Sequence, residues 1–248
     1  MALIAQLTDP HLRDDGAHPF HDPAAALRQA FVQIAAMDPM PDAIVMTGDI
    51  VDRNAAGYGH ALPILRSAPV PVLPLPGDHD DPARFRAAFH GWGAFAPDHL
   101  SFTARIADLD LIALDSTLPD GRPGIDAQRL DRLADLLANL QRRVVLVLHH
   151  PPFATLTPHL DKSGFRNADA LAGLVRRSTV SRIIALHSHR AMQTVWAGCL
   201  ASTAPAIGHG LSLSLSGAES HKPIVMTPAF ELHIVDQENV ISYQIRLI

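Results

Sequence analysis

Five short, largely apolar runs in this chain stop on the same chemistry. Residues 3–8 end at Asp9-Pro10-His11, 43–47 at Gly48-Asp49-Ile50-Val51-Asp52, and 70–75 at Pro76-Gly77-Asp78-His79-Asp80. Residues 143–148 end at His149-His150-Pro151-Pro152, and 181–186 at His187-Ser188-His189. Runs of this length and aliphatic content read as buried strands. Between them lie stretches with helical spacing. Pro23 opens one that carries Leu27, Phe31 and Ile34 on one face as far as Met37, 58–67 reads as a helix despite Pro63, and 82–89 as a short one. Strand, loop and helix in alternation imply parallel pairing through right-handed crossovers, and in such sheets ligands gather outside the carboxyl ends of the strands. All five Asp/His clusters fall there.

The rhythm changes in the middle. Residues 100–105 and 110–115 read as consecutive strands, the mark of a second, partly antiparallel sheet. Asp126 is placed to cap a helix that runs to Leu140 with Leu130, Leu133, Leu137 and Leu140 on one side. The long irregular stretch 153–167 has the character of a functional loop and is expected to act as a lid. Residues 168–177 read as a helix, and the chain after 186 as short strands with a loop over 217–223. No repeat or linker divides the sequence, so 1–248 reads as a single domain.

Composition narrows the function classes. The formal net charge is −5 and no Lys/Arg-rich run is present, which disfavours tracking along a nucleic acid polymer. A small anionic substrate is compatible if a local positive centre holds it. Cys199 is the only cysteine, so neither an intrachain disulfide nor a thiolate metal cage can form, and a reducing compartment fits. Residues 1–8 lack the basic start and long apolar segment of a signal peptide, and no apolar stretch approaches the roughly 18 residues that span a bilayer. The expectation is a cytoplasmic protein without membrane contact.

The strand ends deliver Asp9, His11, Asp49, Asp78, His79, His149, His187 and His189. Mixed carboxylate and imidazole donors without cysteine suit Mn²⁺, Fe²⁺, Co²⁺, Ni²⁺ or Zn²⁺ rather than Ca²⁺ or Mg²⁺. Seven donors from this set exceed what one tetrahedral ion uses, whereas two ions sharing a bridging carboxylate at roughly 3.5–4 Å would use all seven.

In order, these segments resemble the signature of the calcineurin-like metallophosphoesterases: Asp-x-His, Gly-Asp-x-x-Asp, Gly-Asn-His-Asp/Glu, a strand-end His and Gly-His-x-His. The stretches Gln6-Leu7-Thr8-Asp9-Pro10-His11-Leu12, Leu114-Asp115-Ser116, His149-His150-Pro151-Pro152 and Ser202-Thr203-Ala204-Pro205 are more closely similar to the bacterial class III cyclic nucleotide and glycerophosphodiester phosphodiesterases. The resemblance implies an α/β fold, a four-layer α-β-β-α sandwich of two mixed sheets flanked by helices. It implies one metal held by Asp9, His11, Asp49 and His189, and a second held by Asp49, Asp78, His149 and His187, with Asp49 as the bridge. The metals implied are Mn, Fe, Zn or Co. A hydroxide shared by the ions would attack phosphorus in line, with His79 stabilising or protonating the leaving group. The activity implied is hydrolysis of small phosphodiesters of the 3′,5′-cyclic nucleotide or glycerophosphodiester type. The alternatives are a phosphomonoesterase, a phosphonate or phosphotriester hydrolase, or a metal-binding protein with a weakened site. A homo-oligomer, dimer or larger, is expected, with the C-terminal strands pairing between subunits.

Two departures bear on the site. Asp78 stands where the family has Asn, adding a carboxylate that should tighten the second metal and repel a phosphate. Leu186 stands where the family has Gly, and would intrude near the second metal. Asp52 is expected to be structural, His150 is an alternative ligand to His149, Arg190 is expected to be solvated, and Tyr58 and His99 are expected in core or surface roles. His18, His21, His60, His90, His159, His209, His221 and His233 read as ordinary residues, and Cys199 as a small buried hydrophobe.

Overall fold

Alternation of side chains along each strand decides which core each residue joins. The computed structural model describes residues 1–16, 18, 20, 22–53, 57–216 and 222–247; His21, His221 and residues 217–220 of the expected loop lie outside them. In chain order the first half consists of β1 (Ala2–Leu7), α1 (Pro23–Ala35), β2 (Ala43–Met46), α2 (Gly57–Arg66), β3 (Val72–Pro74), α3 (Pro82–Ala88), β4 (Phe102–Ile106), β5 (Leu109–Leu114) and α4 (Ala127–Asn139). The second half adds β6 (Val144–Leu148), α5 (Pro158–Asp161), α6 (Ala168–Arg176), β7 (Val180–Ala185), β8 (Met192–Trp196), β9 (Cys199–Thr203), β10 (Gly210–Leu211), β11 (Pro223–Ile224), β12 (Ala229–Val235) and β13 (Val240–Arg246). Asp126 caps α4 as expected, its carboxylate accepting from the Arg129 N–H at 2.8 Å.

Two mixed sheets carry the fold. One has the order β13-β12-β1-β2-β3, with β1, β2 and β3 parallel and β12 antiparallel to both neighbours. The other has the order β4-β5-β6-β7-β9-β8, parallel at its centre with antiparallel edge strands. Ala5 and Leu7 of β1 pack with Leu27, Phe31 and Phe85 of the first helices. Ile4, one residue before Ala5 and so on the opposite face of the strand, joins Val45, Leu111, Val145 and Ile184 in the layer between the sheets. Ile112 and Leu146 face Leu133 of α4 and Leu171 of α6 on the far side. The result is the four-layer α-β-β-α sandwich, and it brings the carboxyl ends of β1, β2, β3, β6 and β7 to one edge.

Two expectations change, and the segment expected to act as a lid takes a definite form. The chain after β9 is not all short strands, because β12 and β13 are seven residues each and β12 inserts beside β1 with Ala2 opposite Val235. Glu231 and His233 hide that strand from a hydropathy reading, being charged or polar residues that are buried. Cys199 is half-buried rather than buried. Segment 153–167 contains one helical turn and is tied down: Arg166 donates to the Pro123 carbonyl, Ile125 to the Arg166 carbonyl, and Asn167 Nδ2 to the Ile125 carbonyl at 2.7 Å.

A buried polar bridge sets β1 against β7. Gln6 Nε2 donates to the Ala185 carbonyl at the end of β7 at 3.1 Å, and its Oε1 accepts from His233 Nε2 at 2.9 Å. Gln6→Leu keeps the volume but strips both partners, so it is expected to lower unfolding stability by about 1–3 kcal/mol in urea titration.

Candidate metal centre

The candidate donors sit just past strand ends, and five of them lie on backbone few residues adopt. Asp9 (φ 46°), His11 (47°), Asp49 (47°), His187 (63°) and His189 (50°) are all left-handed without being glycine. Such conformations cost energy and persist where the surroundings impose them, typically at functional sites. The surroundings here are the loops themselves: His11 N–H donates to the Asp49 carbonyl, Leu12 N–H to the Ile50 carbonyl, and Gly208 N–H to the Asp9 carbonyl. Asp80 ties the second loop to the third. Its carboxylate is buried and accepts from the N–H groups of Gly77, Ile50 and Val51 and from the Tyr58 hydroxyl at 2.7 Å.

Two groups of four donors result, beside a smaller set of His11, Asp52 and His79. Asp9, His11, Asp49 and His189 form one; Asp78, His149, His150 and His187 form the other, with the donor atoms of each lying within 4.8 Å of one another. In the first, His11 Nε2 stands 3.2 Å from His189 Nε2 and 3.6 Å from Asp49 Oδ2, and His189 Nε2 stands 3.5 Å from Asp9 Oδ1. In the second, Asp78 Oδ1 is 3.2 Å from both His149 Nε2 and His187 Nδ1 and 3.7 Å from His150 Nε2. Asp49 belongs to both, because its Oδ1 is 3.6 Å from His149 Nε2. Atoms each about 2.1 Å from one ion at tetrahedral or octahedral angles stand roughly 3.0–3.4 Å apart, so these spacings fit metal ligation.

The hydrogen-bond pattern fits as well. His149 Nδ1 donates to the Thr47 carbonyl, His150 Nδ1 to the Ser116 carbonyl, and His189 Nδ1 to the His209 carbonyl at 2.7 Å. Each bond turns the other ring nitrogen toward its cluster, as outer partners of metal-binding histidines do. Asp9 Oδ1 is buried with no hydrogen-bond partner, an atom the protein leaves for a cation. Charge points the same way. Burial pulls the His149 imidazole down, but Asp49, Asp78 and Asp9 outweigh it and raise it to about 10. Burial pushes the Asp78 carboxyl up, yet hydrogen bonds from His149 and His187 hold it well below the usual carboxylate range. Burial keeps His11 and His189 well toward the neutral, metal-binding form.

The residue-by-residue outcome is mostly convergence. Asp9, His11, Asp49, Asp78, His149, His187 and His189 come together, and His150 joins the second group beside His149 rather than replacing it. His79 lies at the cleft wall, its Nδ1 donating to Asp52 at 3.2 Å and its Nε2 accepting from Arg53 at 3.1 Å. Leu186 does not intrude: it is fully buried, its N–H bonds the His149 carbonyl, and it is not part of the cleft wall. Arg190 is half-buried and donates to the Leu211 carbonyl instead of facing solvent. Tyr58 and His99 are buried.

Sequence reading missed His209 and Arg53. The His209 ring lies 4.7 Å from that of His189 and lines the cleft; burial, with His189 and His18 adding to it, lowers its imidazole to about 4. Arg53 donates to Asp78 at 3.4 Å as well as to His79, countering the extra carboxylate. Only its place one residue after Asp52 hinted at this.

A family model described as calcineurin-like phosphoesterase matches residues 2–191. The chain belongs to that family. It is a metallophosphoesterase, a hydrolase whose candidate metal ligands are the two groups above. A protein of Arcobacter nitrofigilis named a probable glycerophosphodiester phosphodiesterase is 26% identical over 246 residues, covering 95% of this chain and 89% of its own. A 3′,5′-cyclic adenosine monophosphate phosphodiesterase of Haemophilus influenzae is 28% identical over 208 residues, covering 82% and 75%. Among solved structures, a dimetal phosphatase from Danio rerio superimposes with a TM-score of 0.71 at 15% identity, covering 100% of this chain and 96% of that one, a likeness of fold.

Glycine at 77 is a requirement of this metallophosphoesterase centre. A Cβ there would stand 2.0 Å from Asp49 Oδ1 and 2.5 Å from Asp49 N. Gly77→Ala is expected to weaken Mn²⁺ binding at least about tenfold by calorimetry, comparable to loss of an outer partner, while cooperative unfolding persists.

Proposed function

We propose that this metallophosphoesterase is a dinuclear metal-dependent phosphodiesterase acting on small diesters of the cyclic nucleotide or glycerophosphodiester type. The observation that carries the reading is Asp49, which directs Oδ2 toward His11 and Oδ1 toward His149 and so faces both donor groups. Asp9, His11, Asp49 and His189 would hold one ion, and Asp49, Asp78, His149 and His187 the other, with His150 alongside. The donor set suits Mn, Fe, Zn or Co. When bound, such a pair lowers the pKa of a shared water and neutralises charge on the phosphoryl oxygens.

The chain's own groups do the rest. Asp49 accepts the His79 N–H at 2.9 Å, which fixes the loop that carries His79 into the cleft. Burial lowers the His79 imidazole, so the ring is neutral, anchored by Asp52 and facing Arg53. Arg53, held by His79 Nε2, would supply positive charge to a leaving oxygen, and His79 would donate to it once Nε2 leaves Arg53 and takes a proton. Room on both sides favours a diester. A cleft of about 430 Å³ containing His11, Asp49, His187 and His189 meets another of about 630 Å³ lined by Arg53, Arg86 and His99, and Asp78, His79 and Gly121 are common to both. The Asp78–Arg53 contact and the buried Leu186 weigh against a decayed site.

The same reading keeps 1–248 as one domain with segment 153–167 covering the cleft. It also keeps the expectation of a homo-oligomer through the C-terminal strands, since Ile241 and Tyr243 on edge strand β13 are exposed.

The test is a chromogenic panel with Mn²⁺-loaded protein: bis(p-nitrophenyl) phosphate, p-nitrophenyl phosphate and a p-nitrophenyl triester. The diester is expected to have the highest kcat/KM, and His79→Ala to lower its kcat about 10²-fold or more. Two ions bound with no turnover of any ester would favour a metal-binding protein instead.

A further inference from the structure

Beyond the metal centre, the cleft continues into a second compartment. Its volume is about 240 Å³, and it opens beside His150 and His187, the residues it shares with the cleft along with Pro123 and Leu160. Its walls are apolar: Pro151, Pro152, Phe153 and Phe165 among them. Of the polar side chains there, Thr155 and Asp161 are turned to one another, Asp161 Oδ1 accepting from both the N–H and the hydroxyl of Thr155 at 2.9 Å. The Thr155 hydroxyl oxygen in turn accepts from Thr157 N–H. His150 Nδ1 is committed to Ser116.

A wall of this kind offers contact area and few free hydrogen-bonding groups. A polyol placed in it would give up water for few partners in return, whereas an apolar ring would bury its faces. Size agrees, because an engineered apolar cavity of about 150 Å³ already holds benzene. The walls are also fixed in advance, since segment 153–167 is fastened to residues 123–125 through Arg166 and Asn167. A preformed slot loses less affinity to ordering than one that must close.

We propose that this compartment is a specificity slot for an aryl or comparable apolar ring carried by one ester arm of the substrate. The assignment rests on the phosphodiesterase reading and refines it. Between the two substrate types named above, it favours a ring-bearing diester over a glycerol-bearing one. The phosphoryl group sits at the donor clusters and the ring extends past His150 and His187 between Phe153 and Phe165.

The experiment uses the full chain loaded with Mn²⁺ and three ligands that cannot be turned over as diesters: phenylphosphonate, methylphosphonate and glycerol 1-phosphate. Calorimetry is expected to show phenylphosphonate binding roughly 10- to 100-fold tighter than methylphosphonate, the gain for burying a phenyl group. Glycerol 1-phosphate is expected to show no such gain. Ala168→Phe, which fills the slot from the start of α6, and Phe165→Ala, which removes a wall, should each compress the phenyl-to-methyl ratio. Equal affinities for the two phosphonates, or a ratio that survives both substitutions, would overturn the slot. If no ester is hydrolysed but phenylphosphonate still binds more tightly and responds to both variants, the slot stands and the phosphodiesterase reading falls.

Discussion

Three carboxylates and five imidazoles meet at one edge of this molecule, most of them out of water, and their lone pairs face one another at 3.2–3.7 Å. Such a convergence is unfavourable unless positive charge occupies its centre. In the protein by itself, His149 supplies part of that charge by holding a proton to about 10. Divalent cations supply it more completely, and the donor types and spacings match them. The rest of the fold makes this collision of like groups possible. Strands β1, β2, β3, β6 and β7 end at one edge, and left-handed residues at Asp9, His11, Asp49, His187 and His189 turn the chain so that side chains point inward.

That arrangement needs rigid support, and it is distributed. Asp80 ties three backbone N–H groups and Tyr58 together beneath the second and third loops, while Gln6 sets β1 against β7. Gly77 and Gly48 exist because neighbours leave no space: a Cβ at Gly48 would lie 2.3 Å from His149 Nδ1, and its φ is 114°. Stability is therefore committed to holding donors in place, and the cleft shape follows from loops fastened at both ends.

Much of this was legible in the sequence, for a definite reason. A strand that stops on Asp or His announces both its own end and the chemistry at the sheet edge, so Asp9, Asp49, Asp78, His149 and His187 could be placed without coordinates. The capping Asp126 carried its signal locally too. What escaped depended on contacts distant in sequence. His209 reaches the site because Ile207 and Gly208 pair with the backbone of Thr8 and Asp9, which no local pattern encodes. β12 was obscured because Glu231 and His233 face a buried polar region. His149 and His150 looked like alternatives because neighbours on a strand point opposite ways, yet β6 ends at Leu148 and both rings turn to one side, 4.8 Å apart.

The central claim is that the two donor groups are a paired cation site bridged by Asp49. Crystals grown with Mn²⁺ and measured above and below the manganese absorption edge test it most directly. The account predicts two anomalous peaks, one within Asp9, His11, Asp49 and His189 and one within Asp49, Asp78, His149 and His187. A single peak, or peaks away from these side chains, would contradict it.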